Sequence, residues 1–146
     1  MYGAGSLSGS LTGASINATL NESVDDGTFA DDLTIYVAGT PLALGGALQC
    51  GGYSPLQASQ RYWWANGGSH VPGTTVVDTV TFDSAVDLSW GDLSVWIGNG
   101  YGYSGTSGVF TGSITLHGVN AVPAPGALAM LAVACAAGRR RRVETA

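Results

Sequence analysis

Apolar and polar residues alternate with period two along most of the first 120 positions. Ala14, Ile16, Ala18 and Leu20 alternate with Ser15, Asn17 and Thr19, and Leu33, Ile35 and Val37 with Thr34 and Tyr36. Val76, Val80 and Phe82 share one phase of 75–82, Leu93, Val95 and Ile97 one phase of 92–97, and Phe110, Ile114 and Leu116 one phase of 109–117. Alternation at this spacing puts one set of side chains on each face of a strand. Gly, Asn, Asp and Ser separate the runs, and these residues favour turns. No stretch before 126 has helical spacing. The pattern predicts an all-β fold of short, evenly spaced antiparallel strands, a β-sandwich or jelly roll, as one domain over 1–120.

Two segments sixty residues apart match in type at every position: Asp32-Leu-Thr-Ile-Tyr-Val37 and Asp92-Leu-Ser-Val-Trp-Ile97. Equivalent strands in the two sheets of a sandwich could produce this likeness; the expectation is two similar strands. The Gly-rich run 98–108 lacks the Gly-Lys-Ser/Thr of a phosphate loop and reads as a long hairpin loop before the last strand.

Composition narrows the class. Only 10% of residues are charged, against about 25% in ordinary soluble proteins, and there are 23 glycines. The charge is also uneven. Residues 1–122 hold Arg61 alone against nine acids, a net of −8, while four arginines sit at 139–142. A body of that sign repels phosphate backbones, so nucleic acid is excluded as a partner. A cation or a neutral sugar is not. Cys50 and Cys135 form no disulfide framework and are not expected to pair.

The C-terminus differs in kind. Val122-Pro-Ala-Pro-Gly126 leads into an uncharged run of helix formers, 127–138, and then Arg139, Arg140, Arg141 and Arg142. The run predicts one short hydrophobic helix. Twelve or thirteen residues rise only about 20 Å, less than the ~30 Å of a hydrocarbon core, so such a helix is a weak membrane anchor. The arginines place its end on the cytoplasmic side, with 139–146 as a basic cytoplasmic tail.

This order of a Pro-containing motif (121–126), an apolar helix and an Arg cluster resembles the C-terminal sorting signal of bacterial PEP-CTERM surface proteins. Val122, Pro123, Pro125, Gly126 and Arg139–Arg142 carry the resemblance; Ala124 stands where that family most often has Glu. The resemblance implies an exosortase-like sorting enzyme as a partner and the cell envelope, surface or extracellular matrix as the destination. Before any processing the C-terminal helix would lie in the inner membrane. No basic, apolar leader follows Met1, so a truncated product or an upstream start is expected. The strand and loop pattern of 7–118 also resembles P-like, galactose-binding-like jelly-roll accessory modules. That likeness implies a non-catalytic sandwich, sometimes with structural calcium.

Three groups are candidates for chemistry. Asp25, Asp26 and Asp31 lie in an acid-rich stretch whose oxygens suit Ca²⁺, which takes six to eight. Tyr62, Trp63 and Trp64 could stack on sugar rings of an extracellular polysaccharide, with Asn66, Asn99 or Asp92 as hydroxyl partners, while two of the three aromatics are expected inside the core. His117 falls in the outward phase with Ser113 and Thr115 and is expected exposed, with no catalytic partner. No nucleophile–base pattern is recognisable, so the body is read as non-catalytic, with a structural or adhesive role; the alternative is a carbohydrate- or calcium-binding accessory module.

Overall fold

The computed structural model describes residues 2–38, 42–46, 60–88, 93–100 and 106–123. Two sheets face each other. Strands β1 (Leu7–Val24), β5 (Thr75–Asp87) and β7 (Ser107–Ala121) form one, in the order β5-β1-β7. Strands β2 (Leu33–Ala38), β3 (Leu42–Gly45), β4 (Gln60–Trp63) and β6 (Ser94–Asn99) form the other, in the order β4-β3-β2-β6. Between β1 and β2 lies a single 3-10 turn, η1 (Ala30–Asp32). The all-β, two-sheet architecture agrees with the period-two pattern. The predicted C-terminal helix at 127–138 and the boundaries at 126 and 139 lie outside the described residues.

The strands of the first sheet are long rather than short: 18, 13 and 15 residues. β1 runs down the middle and pairs antiparallel on both sides. It keeps one face buried over this length by changing phase once. Leu7 and Leu11, at odd positions, are buried; from Ala14 onward the buried residues are the even ones, Ala14, Ile16, Ala18 and Leu20. A one-residue slip turns every later side chain to the opposite face. The slip is visible in both ladders. Toward β5 the register jumps between Leu11↔Val86 and Gly13↔Thr81, and toward β7 between Gly9↔Val119 and Gly13↔His117. Gly13 closes the irregularity because a Cβ there would overlap the carbonyl oxygen of Val80 and lie 3.2 Å from the Cα of Thr81. Gly118, the β7 residue beneath the slip, has φ +80, which side chains rarely adopt.

In the second sheet β2 pairs antiparallel with β3 and β6, whereas β3 and β4 are parallel, from Leu42↔Gln60 to Gly45↔Trp63. A parallel pair needs a connection of a dozen residues or more, and fourteen separate Gly45 from Gln60. The matching segments at 32–37 and 92–97 supply two similar strands, as expected, but in one sheet rather than two: they are β2 and β6, paired with each other, so that Ile35 faces Ile97, Tyr36 faces Trp96 and Val37 faces Val95. Their likeness reflects a shared face, where opposite residues need the same character. One expectation is corrected here: the Gly-rich run is no hairpin loop, because β6 and β7, on either side of it, belong to different sheets.

The core lies between the sheets. Leu11, Ile16, Val76, Phe82 and Val86 from the first meet Ile35, Val37, Leu42, Leu44 and Val95 from the second, with Trp64 at the β4 side. Replacing Gly13 with Ala should therefore cost roughly 1–3 kcal/mol, the usual penalty for forcing atoms into a filled site. Ser15→Ala, one strand-step pair away on the open face, should cost less than 1 kcal/mol. Urea unfolding of both variants checks the difference.

Candidate functional site

β4 positions the aromatic triplet, and alternation separates its members. Tyr62 stacks on Phe82, with centroids 4.9 Å apart and planes 29° from parallel. Its hydroxyl accepts the N–H of Asp83 at 2.8 Å, and lies 3.2 Å from Asp83 Oδ2 and 3.3 Å from Gln60 Oε1, either of which can take its proton. This pins β4 of one sheet to β5 of the other. Trp63 then points outward and is 54% exposed, and Trp64 turns back into the core at 3%. The Trp64 indole N–H donates to the carbonyl of Leu33 at 2.8 Å, which satisfies the one polar atom that burial would strand. So Trp64 is core, Tyr62 is half-buried support, and Trp63 is available.

Trp63 lines a groove of about 330 Å³ with Arg61, Tyr62, Val80 and Asp83. One aromatic face, a guanidinium and a carboxylate around a shallow opening can stack on a sugar ring and exchange hydrogen bonds with its hydroxyls. The amides expected to help are otherwise engaged. Asn66 Nδ2 donates to the carbonyl of Val77 at 2.8 Å and its Oδ1 accepts the N–H of Val77 at 3.0 Å; Asn99 Nδ2 donates to Thr28 Oγ1 at 3.1 Å. Asp92 lies outside the described residues, as do Cys50 and Cys135.

The acid-rich stretch divides into an open and a closed part. Asp25 and Asp26 form an exposed turn after β1, with φ of 54 and 52. Asp31 and Asp32 are buried in η1. Among the described residues no three His, Cys, Asp or Glu side chains gather as a metal ion would need, so Asp25, Asp26 and Asp31 are not brought into one coordination sphere. Asp32 stands out instead. It is 1% exposed, and its Oδ2 accepts the N–H of Phe29 at 2.7 Å. Burial, opposed in part by that hydrogen bond and aided by neighbouring Asp31, raises its pKa from 3.8 to about 7.

The outer face of the first sheet carries four rows of three in-register residues: Thr75–Thr19–Thr111, Val77–Asn17–Ser113, Thr79–Ser15–Thr115 and Thr81–Gly13–His117. His117 does not stand alone there. Its Nε2 lies 2.9 Å from Ser15 Oγ, which is 2.8 Å from Thr79 Oγ1. The partner comes from 102 positions away, and only the β1–β7 register brings it near. The pair has the spacing of a nucleophile and a base. Among the described residues no carboxylate bonds His117 to orient it, and the pair sits on an open sheet face.

Of the sorting-signal residues, Val122 and Pro123 are described; Pro125, Gly126 and Arg139–Arg142 lie outside. Val122 donates its N–H to the carbonyl of Ser6 at 2.9 Å, one residue after β7 ends. Among the described residues no helix is long and apolar enough to cross a membrane. The chain matches no protein-family model, and neither a curated protein nor a solved structure is detectably similar to it.

Two outcomes follow from this geometry. Trp64→Ala should destabilise by about 3–5 kcal/mol and Trp63→Ala by less than 1 kcal/mol, measured by urea unfolding. Asp32 holds a proton in the folded state that the unfolded chain releases between about pH 4 and pH 7. Its contribution to stability therefore falls as pH rises through that window and is constant above it. Asp32→Asn should remove this fall, so that the variant gains on the wild type by ~1–4 kcal/mol between pH 4.5 and pH 8 in the same assay.

Proposed function

We propose that this chain is an exported cell-surface or extracellular-matrix protein, carried by a PEP-CTERM-like C-terminal signal, whose body has a structural or adhesive role and performs no chemistry. The observation that carries the reading is where the signal begins. The last strand among the described residues ends at Ala121, and Val122, tied to Ser6, starts the Pro-containing motif, so a cut between 122 and 126 would remove no described strand. The partner of the tail is an exosortase-like membrane enzyme. An outer sheet face mainly of hydroxyl and amide side chains, and a chain with 10% charged residues, suit a crowded polar matrix.

A second reading is favoured by one feature. Trp63 stands exposed beside Arg61 and Asp83 in a groove braced from behind by Tyr62 and Phe82, as a neutral-polysaccharide subsite would require. The groove contains a single carboxylate among the described residues, whereas glycoside hydrolysis ordinarily uses two, so binding rather than cleavage is the chemistry it suits.

The intact mass of the protein in each fraction of its native cells tests the first reading. A species ending between Val122 and Gly126 in the envelope or extracellular fraction is expected. A species retaining Arg139–Arg142 in every fraction would overturn sorting by cleavage. For the second reading, retention on insoluble neutral polysaccharides should be lost in Trp63→Ala; retention unchanged by that substitution would remove the groove from consideration.

A further inference from the structure

Where the chain leaves β1 for η1, it brings a hydroxyl against the end of β6. Thr28 is fully buried, and one side chain holds both polar atoms of its backbone. Its N–H donates to Ser23 Oγ at 3.1 Å, and its carbonyl accepts the Ser23 hydroxyl at 2.8 Å. β7 passes the methyl side as a glycine, since a Cβ at Gly108 would lie 2.6 Å from Thr28 Cγ2. The hydroxyl meets Asn99, 71 positions away, whose Nδ2 donates to Oγ1 at 3.1 Å. Nδ2 is bonded to Cγ at about 1.33 Å, so this oxygen is at most about 4.4 Å from a carboxamide carbon. That is a short step from the approach of roughly 3–3.5 Å at which bonds form.

We infer that Thr28 and Asn99 are joined by an internal ester, a cross-link that the folded chain makes for itself between the segment after β1 and the end of β6. Thr28 Oγ1 attacks Asn99 Cγ. The Oγ1–Cγ bond forms, the Cγ–Nδ2 bond breaks, and the hydroxyl proton leaves with the nitrogen as ammonia. The step needs no oxidant, reductant or second substrate. Asp32 serves it twice, because it bonds the residue that follows each partner. Its Oδ2 accepts the N–H of Phe29 at 2.7 Å, which keeps a buried carboxyl, protonated up to about pH 7, in the same corner. An amide nitrogen is a poor leaving group, and a neighbouring acid supplies the proton it requires. The Asp32 carbonyl accepts the N–H of Gly100 at 2.9 Å, which occupies the backbone nitrogen that would otherwise compete for Asn99 Cγ. Burial of Thr28 then keeps water from the ester. A chain with no disulfide framework gains from such a bond what a disulfide would supply, restraint of the unfolded state. The ester rests on neither the sorting signal nor Trp63, so either proposal can fail alone.

Trypsin tests the bond in the full-length chain. There is no Lys, and no Arg between Arg61 and Arg139, so cleavage after Arg61 parts Thr28 from Asn99. Digested under reducing and denaturing conditions, the wild type should give one species holding both the fragment 1–61 and the fragment from Tyr62 onward. That species should be lighter than the two fragments together by one ammonia, about 17 Da, and dilute alkali should split it. Thr28→Ser keeps a hydroxyl and should stay joined, whereas Thr28→Ala and Asn99→Ala should each give two separate fragments. Asp32→Asn keeps the shape without the acid proton and should lower the joined fraction; an undiminished fraction would overturn the part assigned to Asp32. Three results would overturn the cross-link itself: separate wild-type fragments of unaltered mass, the same loss of ammonia confined to the fragment from Tyr62 (an imide with Gly100), or joining that survives Thr28→Ala. Should the variants fail to fold, the wild-type digest alone decides between a joined species and separate fragments.

Discussion

Everything in this fold depends on one strand holding two ladders while keeping its apolar side inward. β1 bonds β5 on one side and β7 on the other, and through its buried Leu11, Ile16 and Ala18 it faces the whole second sheet. Eighteen residues of strict alternation under two twisted neighbours would strain the register. The chain resolves this with a slip at Ser10–Gly13, which exchanges odd for even positions without moving the buried face. The cost is geometric: a glycine where the Val80 carbonyl crowds β1, and another in the left-handed region of β7. Part of the high glycine content therefore has a steric reason.

The same slip sets what the outer surface offers. Because Gly13 aligns with both Thr81 and His117, the polar positions of three strands fall into rows, and Ser15 is brought between Thr79 and His117. Those bonds join neighbouring strands on the wet side of the sheet, where each is worth about a kcal/mol or less. They ornament the ladder rather than hold it. The flank at β4–β5 is tied more firmly, since Tyr62 links two sheets through Asp83 and leaves Trp63 as the side chain facing out. A rigid aromatic with a braced neighbour is a better platform for a weak ligand than a mobile one, because little ordering is lost on binding.

Much of the strand content was legible in the sequence because period two is read locally. Ala14, Ile16, Ala18 and Leu20 lie inward as their alternation predicts, and so do Ile35 and Val37, although Thr34 of the opposite phase is buried as well and Leu33 only half-buried. What was not legible depends on which strands become neighbours. The pairing of β2 with β6, the parallel β3–β4 ladder and the crossing between sheets after Asn99 are long-range choices with no local signature, although the matching characters of 33–37 and 93–97 were a trace of the first. Burial of Asp31 and Asp32 was hidden for a similar reason. Acids near a glycine look like a solvated loop, and only tertiary packing of η1 shows that two of them turn inward. The triplet Tyr62-Trp63-Trp64 carried the right division, two toward the core and one out, without saying which.

Amide hydrogen exchange along β1, in the full-length chain, tests the central role of that strand most directly. If both ladders depend on it, amides on the two sides of the Ser10–Gly13 slip will open together, in the slowest class of the molecule, and Gly13→Ala will speed them in parallel with those of β5 and β7. Residues 7–11 exchanging much faster than 14–20, and unaffected by Gly13→Ala, would contradict the account and make the slip a frayed end rather than the joint of the sheet.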